Sequence, residues 1–261
     1  TNNGKLDYAI STQKIDHIEV LRGPASSLYG NVALTAVVNI ITKDGTSVNG
    51  LSAQYGYGSL HTHKADLLAG THFMNCDVFA WASLYSSAGE DRYIPASLDQ
   101  SLDIYRVAGP PSIYGGYAHI NKYTEKPSYD VGVNIKLNDF NLMFSRKSGK
   151  KTQQYSVLAH AYDYDAYRWF DGQKPGYCIE ENHANLTYNK TFGKFSLNAS
   201  VYGDWYDIND YGVASDAMMY PIFNDDGTAM KDENGNDIYG EYIGAYQIYD
   251  WKEMTLGATL R

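Results

Sequence analysis

From about residue 50 onward, apolar and polar residues alternate in a series of short segments. The clearest is segment 129–137, in which the odd positions are aromatic or aliphatic and the even positions are mostly polar. Successive side chains of a strand point to opposite faces, so a period of two indicates half-buried β-strands. Seven further segments are read as strands: 51–58, 64–70, 76–86, 140–145, 183–188, 195–202 and 254–260. We therefore expect about eight strands and a mainly β fold.

The connections between these segments alternate in length. Tight turns near residues 74, 138 and 193 alternate with long loops over about 87–128, 148–178 and 207–245. Loops of about 30 to 40 residues would count against a compact soluble domain. Transmembrane barrels combine short periplasmic turns with long extracellular loops. The pattern predicts an antiparallel transmembrane β-barrel portion over residues 46–261.

A different pattern occupies Lys14–Lys43. Two runs rich in β-branched residues, ending near Leu21 and Ile41, flank a turn-rich centre. Gly23-Pro24 stops the first predicted strand, and Pro24 can open one helical turn because the first N–H of a helix needs no partner. The order strand, helical turn, loop and strand predicts a small α/β unit.

This segment resembles the end of the plug domain of TonB-dependent outer-membrane receptors. The residues that match in order and spacing are Ile18-Glu19-Val20, Arg22-Gly23-Pro24, Leu28-Tyr29-Gly30, Ala33 and Val38-Asn39-Ile40-Ile41-Thr42-Lys43. The chain departs from the family's usual pattern at Thr35-Ala36, where Gly-Gly is common, and at Asn31, where Ser is frequent. The resemblance assigns residues 1–45 to the C-terminal part of a plug and residues 46–261 to the N-terminal portion of a barrel.

The strand count implies an incomplete barrel. Eight strands can close a small barrel whose interior is filled by side chains, whereas a plugged transporter has about 22 strands. We therefore expect the tail of a plug followed by roughly the first third of a 22-stranded barrel.

The resemblance implies energy-coupled import of a scarce ligand, such as a siderophore, cobalamin or haem, across the outer membrane of a Gram-negative bacterium. It implies TonB as a partner, through an upstream segment that this chain does not contain. It also implies contact with outer-membrane lipid and a small-molecule ligand, and it allows a surface lipoprotein partner. No enzymatic activity is implied.

The resemblance also singles out plug residues with a structural or gating role, namely Glu19, Arg22, Gly23, Pro24, Tyr29 and Gly30. In the family, plug charges pair with charges on the inner barrel wall. Glu19 and Arg22 are the candidates for such pairs, and an ion pair within the plug is the alternative.

Tyrosine is the compositional outlier, with 25 residues. Its ring offers a flat apolar face and a hydroxyl at low entropic cost, which suits ligand capture as well as loop packing. The candidate ligand contacts in the long loops are Tyr105, Tyr114, Tyr117, Tyr211 and Tyr220. Aromatic residues also lie at the inferred outer strand ends, where an interfacial girdle is expected: Tyr57, Tyr85, Tyr129, Trp205 and Trp251.

Other clusters carry weaker signals. His61 and His63 lie on one side of an extended segment but lack a third ligand, so a solvated turn is the simpler interpretation. The acidic loop around Asp232 begins like an EF-hand but lacks the Gly and the bidentate Glu of that motif, which favours a plain hairpin. The sequence contains no recognisable catalytic motif, and we expect neither a metal nor a cofactor.

Composition narrows the choice of partners. A formal net charge of −9 argues against a nucleic-acid partner. A mean hydropathy of −0.43 and the lack of an apolar run of about 18 residues argue against a membrane helix but not against membrane strands. Cys76 and Cys178 fall near opposite ends of predicted strands, too far apart for a disulfide, so two free thiols are expected.

Two alternatives stay open. A complete eight-stranded outer-membrane barrel with a structural or adhesive role explains the strand count but not the plug motif. A small outer-membrane enzyme with a site at the barrel rim needs a Ser/His pair on facing strands, which the pattern does not show.

Overall fold

The structure is a computed structural model that describes residues 11–22, 36–94, 116–120, 127–152, 170, 174–215, 218–221, 224–242 and 245–260. Side chains are not described within 91–126, at 151, or within 213–223 and 239–247. The described chain is almost entirely β, with one short helix. Its elements are β1 (Ile15–Arg22), β2 (Ala36–Thr42), α1 (Gly45–Val48), β3 (Gly50–Gly58), β4 (Thr62–Phe73), β5 (Cys76–Ser86), β6 (Glu90–Ile94), β7 (Gly116–Ile120), β8 (Ser128–Leu137), β9 (Phe140–Thr152), β10 (Gly176–Phe192), β11 (Phe195–Ser215), β12 (Met218–Pro221), β13 (Tyr239–Tyr242) and β14 (Ala245–Leu260).

The main sheet has eight antiparallel strands in the order β14-β11-β10-β9-β8-β5-β4-β3. This confirms the expected strand number and the antiparallel arrangement. Three two-stranded sheets accompany it, formed by β1 with β2, β6 with β7 and β12 with β13. Within the described residues, the edge strands β3 and β14 do not pair with each other, so the main sheet is open.

Three tight turns lie at one end of the main sheet. The ladders close at Phe73–Cys76, Leu137–Phe140 and Phe192–Phe195, so each turn has two central residues. Met74, Asn138 and Gly193 in these turns have positive φ angles, as tight hairpins require. The turns predicted near residues 74, 138 and 193 are therefore confirmed.

The long loops are shorter or more ordered than the sequence predicted. β9 continues to Thr152 and β10 begins at Gly176, inside the loop expected at 148–178. β11 continues to Ser215, so the loop expected from residue 207 begins later. Asp, Asn and Gly residues suggested a loop here, but β14 supplies a ladder partner to nearly every residue from Asp207 onward. Cross-strand pairing thus overrides weak strand propensity.

The two faces of the main sheet differ in chemistry. We call the face that contacts Ser11 and Lys14 the inward face, and the opposite face the outward face. Cross-strand partners share a face, so the ladders assign every described strand residue to one of them. The outward face carries exposed aliphatic and aromatic side chains, including Leu51, Leu67, Leu84, Leu137, Phe140, Leu142, Phe144, Leu186, Val201 and Leu256.

The expected aromatic girdle is only partly on the outward face. By ladder register, Tyr57, Tyr129 and Trp205 lie there. Tyr85 and Trp251 belong to the inward face instead, because they occupy the alternate positions of β5 and β14. Height along a strand does not determine the face of a side chain, which depends on whether its position is odd or even.

A small buried cluster sits on the inward face. Phe79 and Trp81 stack with ring centroids 5.6 Å apart, beside the buried Leu68. Gly132 on β8 lies under the Trp81 ring, and a Cβ atom built there would be 2.2 Å from its Cζ2. Glycine at this position is therefore a requirement of packing.

We predict that Gly132→Ala destabilises the protein by about 1–3 kcal/mol, because the added methyl group displaces the Trp81 ring. Gly56→Ala is the matched control, since no atom lies within 4 Å of its added Cβ. Denaturant unfolding of the intact protein measures both variants. Equal midpoints for the two variants would contradict the packing role.

Candidate functional site

The candidate site is the contact between the segment before β1 and the inward face of the main sheet. β1 and β2 pair antiparallel from Ile15–Thr42 to Arg22–Ala36, which confirms the two strands predicted in this region. The Lys43 amide donates to the Lys14 carbonyl at 2.8 Å and holds the base of the pair closed. Ser11 and Lys14 project from this base onto the main sheet.

Asp130 on β8 is the centre of the contact. Its carboxylate, fully buried, accepts hydrogen bonds from Lys14 Nζ at 2.5 Å, from Trp81 Nε1 at 2.8 Å and from the Ser11 amide at 3.3 Å. Lys14 Nζ also lies 4.9 Å from the centroid of the Trp81 ring. A buried carboxylate is costly unless it is paired and hydrogen-bonded, and here both conditions hold.

Asp66 on β4 is the second carboxylate of this contact. Its Oδ1 accepts hydrogen bonds from Ser11 Oγ at 2.7 Å and from Ser83 Oγ at 2.5 Å. Lys64 Nζ lies 4.0 Å from Oδ2, with 42% of its side chain exposed. Together, Ser11, Lys14, Asp66, Trp81, Ser83 and Asp130 form a polar contact that we call the seat.

The chemistry of the seat suits a contact that can open. Among the described residues, the contacts named above between the segment and the sheet are an ion pair, hydrogen bonds and a cation–π contact. Water can replace such bonds when the contact separates, so each one contributes only modestly to the net stability. A buried apolar interface would instead lose its full hydrophobic stabilisation on opening.

A separate contact holds the segment that joins β2 to β3. Asp77 accepts hydrogen bonds from the Gly45 amide at 2.8 Å, the Thr46 amide at 2.9 Å and Thr46 Oγ1 at 2.9 Å. Asp44 caps α1 by accepting from the Ser47 amide at 2.8 Å. Gly45 approaches the sheet so closely that a Cβ atom would lie 2.2 Å from the Thr71 carbonyl oxygen. We call this contact the anchor.

The predicted plug residues are only partly within the described chain. Glu19 accepts from Asn39 Nδ2 at 2.9 Å and lies 3.7 Å from His17 Nε2, so these contacts are within the β1–β2 pair. Arg22 ends β1 opposite Ala36, and the described residues give it no ion pair. Four further plug residues, Gly23, Pro24, Tyr29 and Gly30, lie outside the described residues.

The tyrosines proposed as loop contacts have different positions. Tyr211 is not in a loop: it lies within β11, is fully buried, and its ring meets Phe170 edge-on at 5.3 Å. The predicted loop placement of Tyr211 is therefore wrong, and its contact with a ligand stays a prediction. Tyr117 lies on β7 and Tyr220 on β12, with side chains outside the described set. Tyr105 and Tyr114 are outside the described residues altogether.

The weaker clusters have simple structures. His61 Nδ1 forms a hydrogen bond with the Tyr57 hydroxyl at 3.1 Å, and His63 Nδ1 forms one with the Tyr55 hydroxyl at 2.7 Å. Both bonds lie on an exposed surface. Among the residues that the structure describes, no group of three or more His, Cys, Asp or Glu residues could hold a metal ion. Both cysteines are free thiols, as predicted.

The acidic loop forms a hairpin turn. Asp232 accepts hydrogen bonds from the Asn234 and Asn236 amides, both at 2.8 Å, and its own amide donates to the Asn236 carbonyl. Hydrogen bonds from the Asn236 side chain, at 3.1 Å, and from the Asn236 and Asn234 amides lower the pKa of the Asp232 carboxyl below its usual value of 3.8. The Asp232 carboxylate is therefore engaged within the turn, as expected for a plain hairpin.

Sequence reasoning missed the residues of the seat and of the anchor. Asp66 and Asp130 were placed on the polar face of their strands, but nothing separated them from other polar residues there. A usable signal was available, because β4, β5 and β8 each carry an Asp on the face shared with Phe79 and Trp81. Carboxylates beside large aromatic residues on one face indicate a partner that covers them.

Comparisons with known proteins agree with the resemblance. The chain is 37% identical over 68 residues to the vitamin B12 transporter BtuB of Vibrio cholerae serotype O1, covering 26% of this chain and 11% of that protein. It is 57% identical over 37 residues to the ferrienterobactin receptor of Escherichia coli K12, covering 14% of this chain and 5% of that protein. The matched stretches thus span a small part of each relative. No family profile matches, and no solved structure matches.

The relatives define a class of membrane receptor. Both are TonB-dependent receptors, which are transporters and not enzymes, and the resemblance to this class is confirmed. No helix in the described ranges is long and apolar enough to cross a membrane. Within the described residues, the chain therefore combines an open antiparallel sheet, a segment before the β1–β2 pair that is seated on the inward face, and local similarity to TonB-dependent receptors.

We predict that Lys14→Met weakens the seat by about 3 kcal/mol, because it leaves the buried Asp130 carboxylate without its ion-pair partner. The expected result is faster hydrogen exchange of backbone amides in 11–22 of the intact protein. Lys64→Met is the matched control, because its partly exposed pair with Asp66 is worth less than about 1 kcal/mol. Similar exchange rates in both variants would contradict a central role for the Lys14–Asp130 pair.

Proposed function

We propose that this chain is part of a TonB-dependent importer of the Gram-negative outer membrane. In this proposal, residues 1–45 end the plug, and residues 46–261 begin a barrel whose open edges, β3 and β14, pair with further strands. The observation that carries the proposal is the seat, in which a strand pair joins a sheet through buried polar contacts. The local similarity to two TonB-dependent receptors supports it.

The proposed mechanism follows from the two contacts of the plug segment. TonB pulls on a segment upstream of Ser11, and the ion pair and hydrogen bonds of the seat exchange with water. The anchor at Asp77 keeps the other end of the plug on the barrel wall. Glu19 and Arg22 remain candidates for further contacts with the part of the plug and barrel beyond the described residues.

The ligand class proposed from the relatives is a scarce nutrient of chelate size. One relative is named for vitamin B12 and the other for ferrienterobactin. A siderophore, a cobalamin or a haem is therefore the proposed cargo. Tyr105, Tyr114, Tyr117 and Tyr220 remain candidate contacts in the outer loops, and a surface lipoprotein remains a candidate partner.

We predict that formaldehyde treatment of cells joins the intact protein to TonB. Blotting with an antibody against the loop peptide 224–237 is expected to show an adduct that a TonB-deficient strain lacks. The band without formaldehyde is expected to run far above the 29.1 kDa of this chain. No adduct would contradict TonB coupling. A band at 29.1 kDa would favour the small-barrel alternative with a structural or adhesive role.

We also predict that the outward face contacts lipid. Ala199→Lys places a charge on the outward face of β11. A lysine that faces lipid near the bilayer midplane lowers the free energy of unfolding by about 2–4 kcal/mol. Ser200→Lys is the matched control, because Ser200 is the next residue and points inward, where its Oγ lies 2.8 Å from Thr259 Oγ1. The free energy of unfolding of the intact protein from lipid vesicles is measured for both variants. Equal costs would contradict a lipid-facing outward surface.

A further inference from the structure

From β4 to β14, one row of inward-facing residues crosses seven strands of the main sheet. The ladders connect, in order, Asp66, Ser83, Asp130, Lys147, Glu181, Tyr206 and Glu253. The seat occupies the first three positions of this row. The last two positions, Tyr206 and Glu253, lie on β11 and β14, away from the seat and on the same face.

Aromatic and acidic residues continue this surface away from the tight turns. The next inward positions pair Ile208 with Trp251, and the following ones pair Asp210 with Tyr249. Successive inward residues of a strand lie about 6.6 Å apart, so these side chains form one contiguous patch. We call the patch of Tyr206, Asp210, Tyr249, Trp251 and Glu253 the aromatic panel.

Two large aromatic residues of β14 are exposed on the inward face. Tyr249 is 53% exposed and Trp251 is 41% exposed. Exposed aromatic side chains on the outward face fit lipid contact, but these two rings share a face with the seat. An exposed apolar patch with polar neighbours on such a surface indicates a binding site.

The panel carries an excess of negative charge. Nearby, Lys147 Nζ pairs with Glu181 at 2.6 Å, and His183 Nδ1 pairs with Asp204 at 2.6 Å. Asp210 and Glu253 have no ion-pair partner among the residues with described side chains. These two nearby basic groups are thus engaged with other carboxylates, and the panel presents two further carboxylates beside exposed rings.

We propose that the aromatic panel is a subsite for a positively charged ligand that also has apolar surface. A cation over the face of Trp or Tyr is attracted by the ring quadrupole, and the carboxylates of Asp210 and Glu253 add charge complementarity. The same carboxylates repel an anionic ligand. This inference rests on the proposed function, because it places the panel on the path of the imported ligand.

Three small probes test the panel in the intact, detergent-solubilised protein labelled with 5-fluorotryptophan. The chain has four Trp residues, and Trp251→Phe assigns the Trp251 resonance. Phenyltrimethylammonium is expected to shift this resonance saturably, and benzenesulfonate, of similar size and opposite charge, is not. Cellobiose tests the alternative of a neutral saccharide. The Trp205 resonance is the internal control, since that ring lies on the outward face.

Charge variants then test the role of the carboxylates. Asp210→Asn with Glu253→Gln is expected to weaken phenyltrimethylammonium binding about fivefold to tenfold. Asp250→Asn is the matched control, because it removes one charge from the outward face of β14 and is expected to leave binding unchanged. Equal weakening in both proteins would overturn the proposal, as would a Trp251 response to benzenesulfonate or cellobiose without a response to the cation.

The readout separates this inference from the proposed function. The resonance shift needs neither TonB nor an energised membrane. If the Trp251 resonance does not shift with phenyltrimethylammonium while the TonB adduct forms, the subsite is overturned and the importer proposal is retained. A cation response without a TonB adduct would overturn the importer and leave a cation-binding surface.

Discussion

The buried carboxylate of Asp130 is the interaction on which the rest of the arrangement depends. It joins three parts of the chain, because Lys14 and Ser11 reach it from the segment before β1 and Trp81 reaches it from β5. The Trp81 ring in turn requires Gly132 beneath it. One charge on β8 therefore helps to set the position of the seated segment and the orientation of the Trp81 ring, and that ring explains why residue 132 is a glycine.

Much of the sheet was predictable from the alternation of residue types. Segment 129–137 alternates so regularly that its two faces were assigned correctly, and the tight turns near residues 74, 138 and 193 follow from local residue preferences. The end of β11 was not predictable in this way. Its Asp, Asn and Gly residues favour turns, and only the partner strand β14 explains why they remain extended. That partner is remote in sequence from most of these residues.

The candidate site was likewise only partly predictable from the sequence. The plug motif was recognised from Ile18 to Lys43, and β1 and β2 form where it predicted strands. The contacts that seat this pair, however, come from Ser11 and Lys14, which lie just before the motif and carry no local signal. Their importance arises from Asp66 and Asp130, which are 55 and 116 residues away from them, respectively. Tyr211 shows the reverse case, because a residue that was predicted to lie in a loop lies fully buried within β11.

The order of the seat along the chain has a mechanical consequence. Ser11 precedes Lys14, and the anchor around Asp77 comes after β2. A force applied from the N-terminal side loads the Ser11 bonds first, then the Lys14–Asp130 pair, and the anchor last. Bonds loaded one after another open as in peeling, at a lower force than bonds loaded together in shear. The seated segment can thus detach stepwise under a weak pull, while its far end stays fastened and guides its return.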